Sequence, residues 1–317
     1  MDGTGLIVSS SPHQRTAVST PIIMSDVILA LMPASLAGVW FFGLRALGMM
    51  AVCVAAAVAT EAVLEKLMRK PLTIGDYSAA VAGLLLALVL PPDLPLWIGA
   101  IGAVFAMAIG KFVFGGLGQN VFNPALIGRA VLLASWPVLM TRWRWPIFQA
   151  PWVPDFDAVT TATPLALWRL GGIKTPYLNL FLGNVAGSIG ETSAIAILVG
   201  AAYLLWRGHI SWRIPFTFIG TVAVLSALFG QDPLFHVLAG GLLLGAFFMA
   251  TDYVTTPVTP KGQIIFGVGC GVLTVLIRLY GGYPEGVCYA ILIMNAATAL
   301  IDRLTMPRKF GEVKKVA

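Results

Sequence analysis

The stretch of this chain most able to support chemistry is Asp157-Ala158-Val159-Thr160-Thr161-Ala162-Thr163-Pro164-Leu165. Its assets are hydroxyl groups. A threonine hydroxyl on an extended backbone can accept a group in ester linkage. Pro164 biases Thr163 toward β or polyproline geometry, because the proline ring disfavours the helical region for the residue before it. Ala162 leaves room beside that hydroxyl. Composition alone would read the segment as an ordinary Thr-rich turn. Elsewhere the chain shows no Ser-His-Asp arrangement, no Walker loop and no Rossmann fingerprint.

The elements around this stretch are apolar. Of 317 residues, 58% are hydrophobic and 11% charged, with mean hydropathy +0.88. A soluble domain carries about 25% charged residues, so a water-facing surface of this size is excluded. Ten apolar segments, at about 25–43, 46–65, 77–91, 95–114, 121–139, 192–206, 214–230, 234–250, 262–280 and 285–303, predict ten membrane spans. The first follows a polar lead, and more spans follow it, so it reads as a retained helix and not a cleaved signal. Cys53, Cys270 and Cys288 each lie in an apolar run without metal-ligand spacing. They read as small hydrophobes, not cluster ligands.

The net charge of +6 marks membrane orientation, and with no aromatic-interleaved basic patch it does not indicate nucleic acid. Lys66, Arg69, Lys70, Arg207, Arg213, Lys261, Arg303, Arg308, Lys309, Lys314 and Lys315 all fall on one side if the N-terminus is cytoplasmic. Both termini are then cytoplasmic, the short outside turns carry Asp93, Asp232 and Glu285, and the long loop 140–191 is external, with Arg45, Arg142, Arg144, Arg169 and Lys174 as the exceptions. GLLLALVLPP at 83–92 resembles GLLLGAFFMA at 241–250, and Phe114 to Gly118 resembles Tyr280 to Pro284. The expected organisation is an all-α polytopic membrane protein of two inverted five-helix repeats. Its parts are a cytoplasmic segment (1–24), a first repeat (25–139), the external loop (140–191), a second repeat (192–303) and a basic cytoplasmic tail (304–317).

The string Asp157 to Thr163 has the form D-x-x-[ST]-x-A-T and resembles the flavinylation motif of proteins that carry FMN through a phosphoester. The wider chain resembles the RnfD family of Rnf complexes, which is related to the NqrB proteins of the sodium-pumping NADH:quinone oxidoreductase. The resemblance rests on Ser11-Pro12-His13-x-Arg15, Gly115 to Ala125, Asp157 to Leu165, Gly187 to Ser193, Ala250 to Pro257 and Tyr283 to Val287. It implies an electron-transfer subunit of a ferredoxin:NAD-type ion pump, with FMN on Thr163 and with Asp157 and Thr160 recognised by a flavin transferase. It further implies partner membrane and peripheral subunits, including a second flavinylated one, in the cell membrane. It leaves open a second flavin held without a covalent link, such as riboflavin. Ferredoxin and NADH would meet other subunits. A solute channel or permease built on the same repeat is the rival class, since fold does not determine function.

The remaining candidates have two readings each. Thr192 and Ser193 suit a helix cap; by resemblance they join Asn184, Gly187, Gly190 and Glu191 near the flavin ring. Asn120, Asn123 and Arg129 either satisfy broken-helix backbone or wall a flavin or ion site. Lys111 and Arg278 read as snorkelling to the interface, Asp252 as a capping and turn residue with a cation site beside Thr251, Thr255 and Thr256 as its other reading, and Glu61, Glu65 and Arg69 as helix-face support.

Overall fold

The computed structural model describes residues 18–146, 162–282 and 285–307. Asp157 and Thr160 lie outside the described residues. Among the described residues the regular elements are all helical. Among these same residues, four helices are long and apolar enough to cross a bilayer: α1 (Thr20–Phe42), α2 (Leu44–Leu67), α13 (Pro260–Tyr280) and α14 (Val287–Thr305). Between α2 and α13 the main elements are α3 (Ser78–Leu88), α4 (Leu96–Met107), α5 (Pro124–Ser135), α6 (Pro137–Met140), α7 (Pro164–Gly171), α8 (Tyr177–Leu182), α9 (Ala194–Arg207), α10 (Arg213–Leu228), α11 (Pro233–Leu238) and α12 (Leu242–Leu244). Leu29, Leu36, Trp40, Leu44 and Val63 on α1 and α2 are exposed. In water such a surface would drive aggregation; in lipid it is the natural exterior of a membrane protein.

Several apolar segments form less helix than their length suggests. The third gives only the 11 residues of α3, about 16 Å at 1.5 Å per residue. That is short of the ~30 Å hydrocarbon core. Nearly every α3 residue is buried, so other helices surround it. Its C-terminal carbonyls find donors from far along the chain: Gly190 N–H bonds Leu88 O at 2.7 Å and Ile189 N–H bonds Leu90 O at 3.1 Å. A Cβ at Gly190 would stand 2.6 Å from Leu88, so this approach needs glycine.

The eighth apolar segment is broken. It divides into α11, a kink at Ala239–Gly241, α12 and a π-helical turn, Gly245–Met249. A second π turn, Ala108–Phe112, extends α4. Broken backbone at this depth requires internal partners. Arg278 supplies them, donating to the carbonyls of His236 and of Ala239, the latter at 3.1 Å. It is 1% exposed and does not snorkel, because α11 ends beside it and presents unpaired carbonyls. Lys111 also departs from the snorkelling expectation. It bonds Glu61 and, at 2.7 Å, Ser78 Oγ inside the bundle. Glu61 and Glu65 are likewise not helix-face support: Glu65 accepts from the Thr73 main-chain N–H at 3.0 Å.

Candidate functional site

Thr163 is placed by the short amphipathic helix that follows it. Leu165 and Trp168, three residues apart, share one face of α7 and pack with Leu180, Val185, Phe235 and Ala239. Trp168 meets the His236 ring edge-on at 4.7 Å. Thr163 itself has φ −63° and ψ 158°, the extended geometry expected before Pro164. Its hydroxyl oxygen accepts from Ala166 N–H at 3.3 Å and caps α7. The side chain is 5% exposed.

That residue walls a cavity of about 360 Å³, within the range of small-molecule and cofactor sites. Ala162 lies beside it on the wall, and Leu126, Arg129 and Leu133 line it from one face of α5. Arg129 Nη1 donates to Glu191 Oε1 at 2.9 Å, and Nη2 donates to Glu285 Oε2. Glu191 Oε2 accepts from Ser188 Oγ at 2.7 Å. One guanidinium therefore holds two carboxylates at the cavity. Glu191, Glu285 and Thr163 also border a smaller recess lined by Gly187 and Thr192.

The candidate residues do not gather in one place. Thr163, Ala162, Arg129 and Glu191 share the large cavity; Gly187 and Thr192 share the recess. Gly190 holds the loop onto α3, and Ser193 caps α9 by accepting from Ala196 N–H at 3.4 Å. Asn184 lines neither space. Its buried Oδ1 has no partner among the described residues. Asn120 and Asn123 sit at the start of α5 and line a different cavity of about 90 Å³, together with Lys111, His209 and Asp252. The Asn120 Oδ1 there is buried without a partner among the described residues. Asp252 serves as the turn residue expected: its Oδ2 accepts from Thr255 Oγ1 at 3.3 Å and its carbonyl from Thr256 Oγ1 at 2.7 Å.

Sequence reasoning misses Glu285. It belongs to a segment that carries the resemblance, but its charge reads as part of an outside turn. The available signal is its position beside Gly286, which adopts φ 55° and turns the chain back against α13.

Comparison with known proteins decides the family. The NQR2, RnfD, RnfE family model matches residues 7–311. The chain belongs to this family. It is 54% identical to the D subunit of the Na(+)-translocating ferredoxin:NAD(+) oxidoreductase complex of Acetobacterium woodii, covering 99% of this chain and 98% of that protein. Identity to the D subunit of the proton-translocating ferredoxin:NAD(+) oxidoreductase complex of Clostridium ljungdahlii is 53%, with 96% of each chain covered. The D subunit of the ion-translocating oxidoreductase complex of Halorhodospira halophila is 40% identical, over 96% of this chain and 95% of its own.

Proposed function

We propose that this chain is the electron-transfer membrane subunit of an ion-translocating ferredoxin:NAD oxidoreductase, carrying FMN as a phosphoester on Thr163. The observation that carries the reading is the Thr163 hydroxyl on the wall of a cavity of about 360 Å³ beside Arg129. Thr163 would hold the FMN phosphate at the N-terminus of α7, where main-chain N–H groups and the helix dipole favour an anion. Arg129 adds positive charge to the same wall. The flavin, when bound, supplies one- or two-electron redox chemistry. The tether makes its rebinding intramolecular, which retains it on a face where free flavin is scarce.

The packing supports two opposed halves. α2 packs on α3 and α4, as α10 packs on α11 and α13; α1 meets α9, and α5 meets α14. With ten spans and cytoplasmic termini, Thr163 faces outward and the Asn120 cavity faces inward. A second flavin held without a covalent bond, such as riboflavin, fits the donors of that inner cavity. Its volume of about 90 Å³ requires side chains to move aside on entry. Partners would be the other membrane and peripheral subunits of the complex, including a second flavinylated one, and a flavin transferase for maturation. Relatives at 54% and 53% identity are named for sodium and for protons, so overall similarity carries no information about the ion.

The test is to co-produce the chain with a flavin transferase, denature it and scan the gel for fluorescence. A fluorescent band lost in Thr163→Ala is expected, with a mass increase of FMN less one water on the peptide holding Thr163. Absence of bound flavin in native membranes would overturn the reading. Flavin on the chain with undiminished electron flux in Thr163→Ala complexes would remove its role as carrier.

A further inference from the structure

Two carboxylates share one guanidinium at the Thr163 cavity, and their environments differ. Glu191 is bonded through both oxygens, to Arg129 and to Ser188, and its side chain is 9% exposed. Glu285 meets Arg129 through Oε2, and its side chain is 22% exposed. Like charges confined together disfavour double ionisation. Glu191, with two donors, is the carboxylate better held as an anion. Oε1 of Glu285, which Arg129 does not engage, is the better place for a proton.

The surrounding groups do not change this ranking. Cys288, on α14, is a cavity-wall thiol whose Sγ lies 3.6 Å from Leu126 O. Arg278, on α13, reaches to 3.5 Å from the site of a Cβ on Gly240, which borders the same recess as Glu285. Its Nη1 and Nη2 are committed to the carbonyls of His236 and Ala239. His236, on α11, packs edge-on against Trp168.

We infer that Glu285 is the proton-exchanging residue of the Thr163 cavity, the group that gives a proton to the tethered flavin on reduction and recovers it on oxidation. This rests on the proposal that Thr163 carries FMN. The electron comes from a one-electron donor, an iron–sulfur or flavin carrier in a partner subunit. As it arrives, the O–H bond at Glu285 Oε1 breaks, an N–H bond forms on the flavin ring, and Glu285 remains as a carboxylate. Before the step Arg129, Arg278 and Glu191 are ionised and Glu285 is neutral. After it two cations face two anions, so the electron leaves no uncompensated charge in a site of low dielectric. Oxidation reverses both transfers.

The test uses the intact complex, poised electrochemically, with redox-difference infrared spectroscopy as the readout. Flavin on Thr163 is first confirmed by gel fluorescence; no flavin there defeats the underlying proposal and not this one. With flavin loaded, reduction is expected to bleach one protonated-carboxyl carbonyl band that shifts in heavy water. Glu285→Gln should lose that band, and Glu191→Gln should keep it. If Glu285→Gln does not assemble, Glu285→Asp provides the test through a displaced band. A loaded wild-type complex without the band, its persistence in Glu285→Gln, or its unchanged position in Glu285→Asp would each overturn the inference.

Discussion

The main-chain N–H of Asn123 donates to Oδ1 of Asn295 at 3.3 Å, across 172 residues of sequence. Asn295 Nδ2 donates in turn to Thr255 O at 3.0 Å, and Asn123 Nδ2 to Met249 O at 3.2 Å. The pair thus closes the backbone at the start of α5 and just beyond the π turn. Asn295→Leu should leave the Asn123 N–H without its partner inside the bundle, at about 1–3 kcal/mol for an orphaned buried group, while Thr255 O keeps the Thr298 hydroxyl at 2.9 Å. The expected outcome is a clearly lower thermal midpoint for the detergent-solubilised protein. A midpoint equal to wild type would show that the pair does not support the break.

Lys111 and Glu61 form an ion pair with side chains 3% and 0% exposed. Removing one partner strands a buried charge, which typically costs about 3–5 kcal/mol. Lys111→Met alone and Glu61→Leu alone should both destabilise the protein strongly. The double variant should recover much of the loss, because an apolar pair of similar volume carries no desolvation penalty. Thermal unfolding of all four proteins completes the cycle; additive losses would show that the two side chains do not interact.

Asp232 caps α11 by accepting from Leu234 N–H at 3.1 Å and Phe235 N–H at 3.2 Å. The Tyr177 hydroxyl bonded to it holds its carboxyl below the usual range; partial burial opposes this, and the Phe235 N–H and Lys174 reinforce it. A lowered folded pKa contributes stability above the unfolded value, near 3.9, and the contribution disappears as pH falls through the folded value. Asp232→Asn keeps a good cap, so it isolates the charge. Its thermal midpoint should lie slightly below wild type at neutral pH, by less than about 1 kcal/mol for such a solvated group. The two curves should converge in acid, and a constant gap would assign the effect to something other than ionisation.

Helical class and the apolar segments are legible because hydrophobic runs report burial in lipid or protein directly. Which of the two they report is not legible: α3 is as apolar as a span yet lies among other helices. Lys111 and Arg278 mislead for a related reason. Position near the end of an apolar run suggests snorkelling, whereas their actual partners, Glu61 on α2 and the carbonyls after α11, are set by packing between elements far apart in sequence. The geometry of Thr163 is legible because Pro164 and its neighbours act locally. The separation of Arg129 from Asn120 and Asn123 is not, since it depends on where α5 passes between two cavities.

Arg129 is the common partner of Glu191 and Glu285, with an 8% exposed side chain. Arg129→Gln should leave the Glu191 carboxylate without its direct counter-charge at the cavity, costing about 3–5 kcal/mol as for other broken buried pairs. Arg129→Lys keeps the charge but cannot span both acids with a planar fork, so an intermediate loss is expected. Adding Glu191→Gln to Arg129→Gln should restore part of the stability by removing the stranded charge. The measurement is the thermal midpoint of each variant before exposure to flavin transferase, so that folding is read apart from cofactor loading. Equal losses in Arg129→Gln and Arg129→Lys would show that bidentate geometry, and not charge, is what the two acids require.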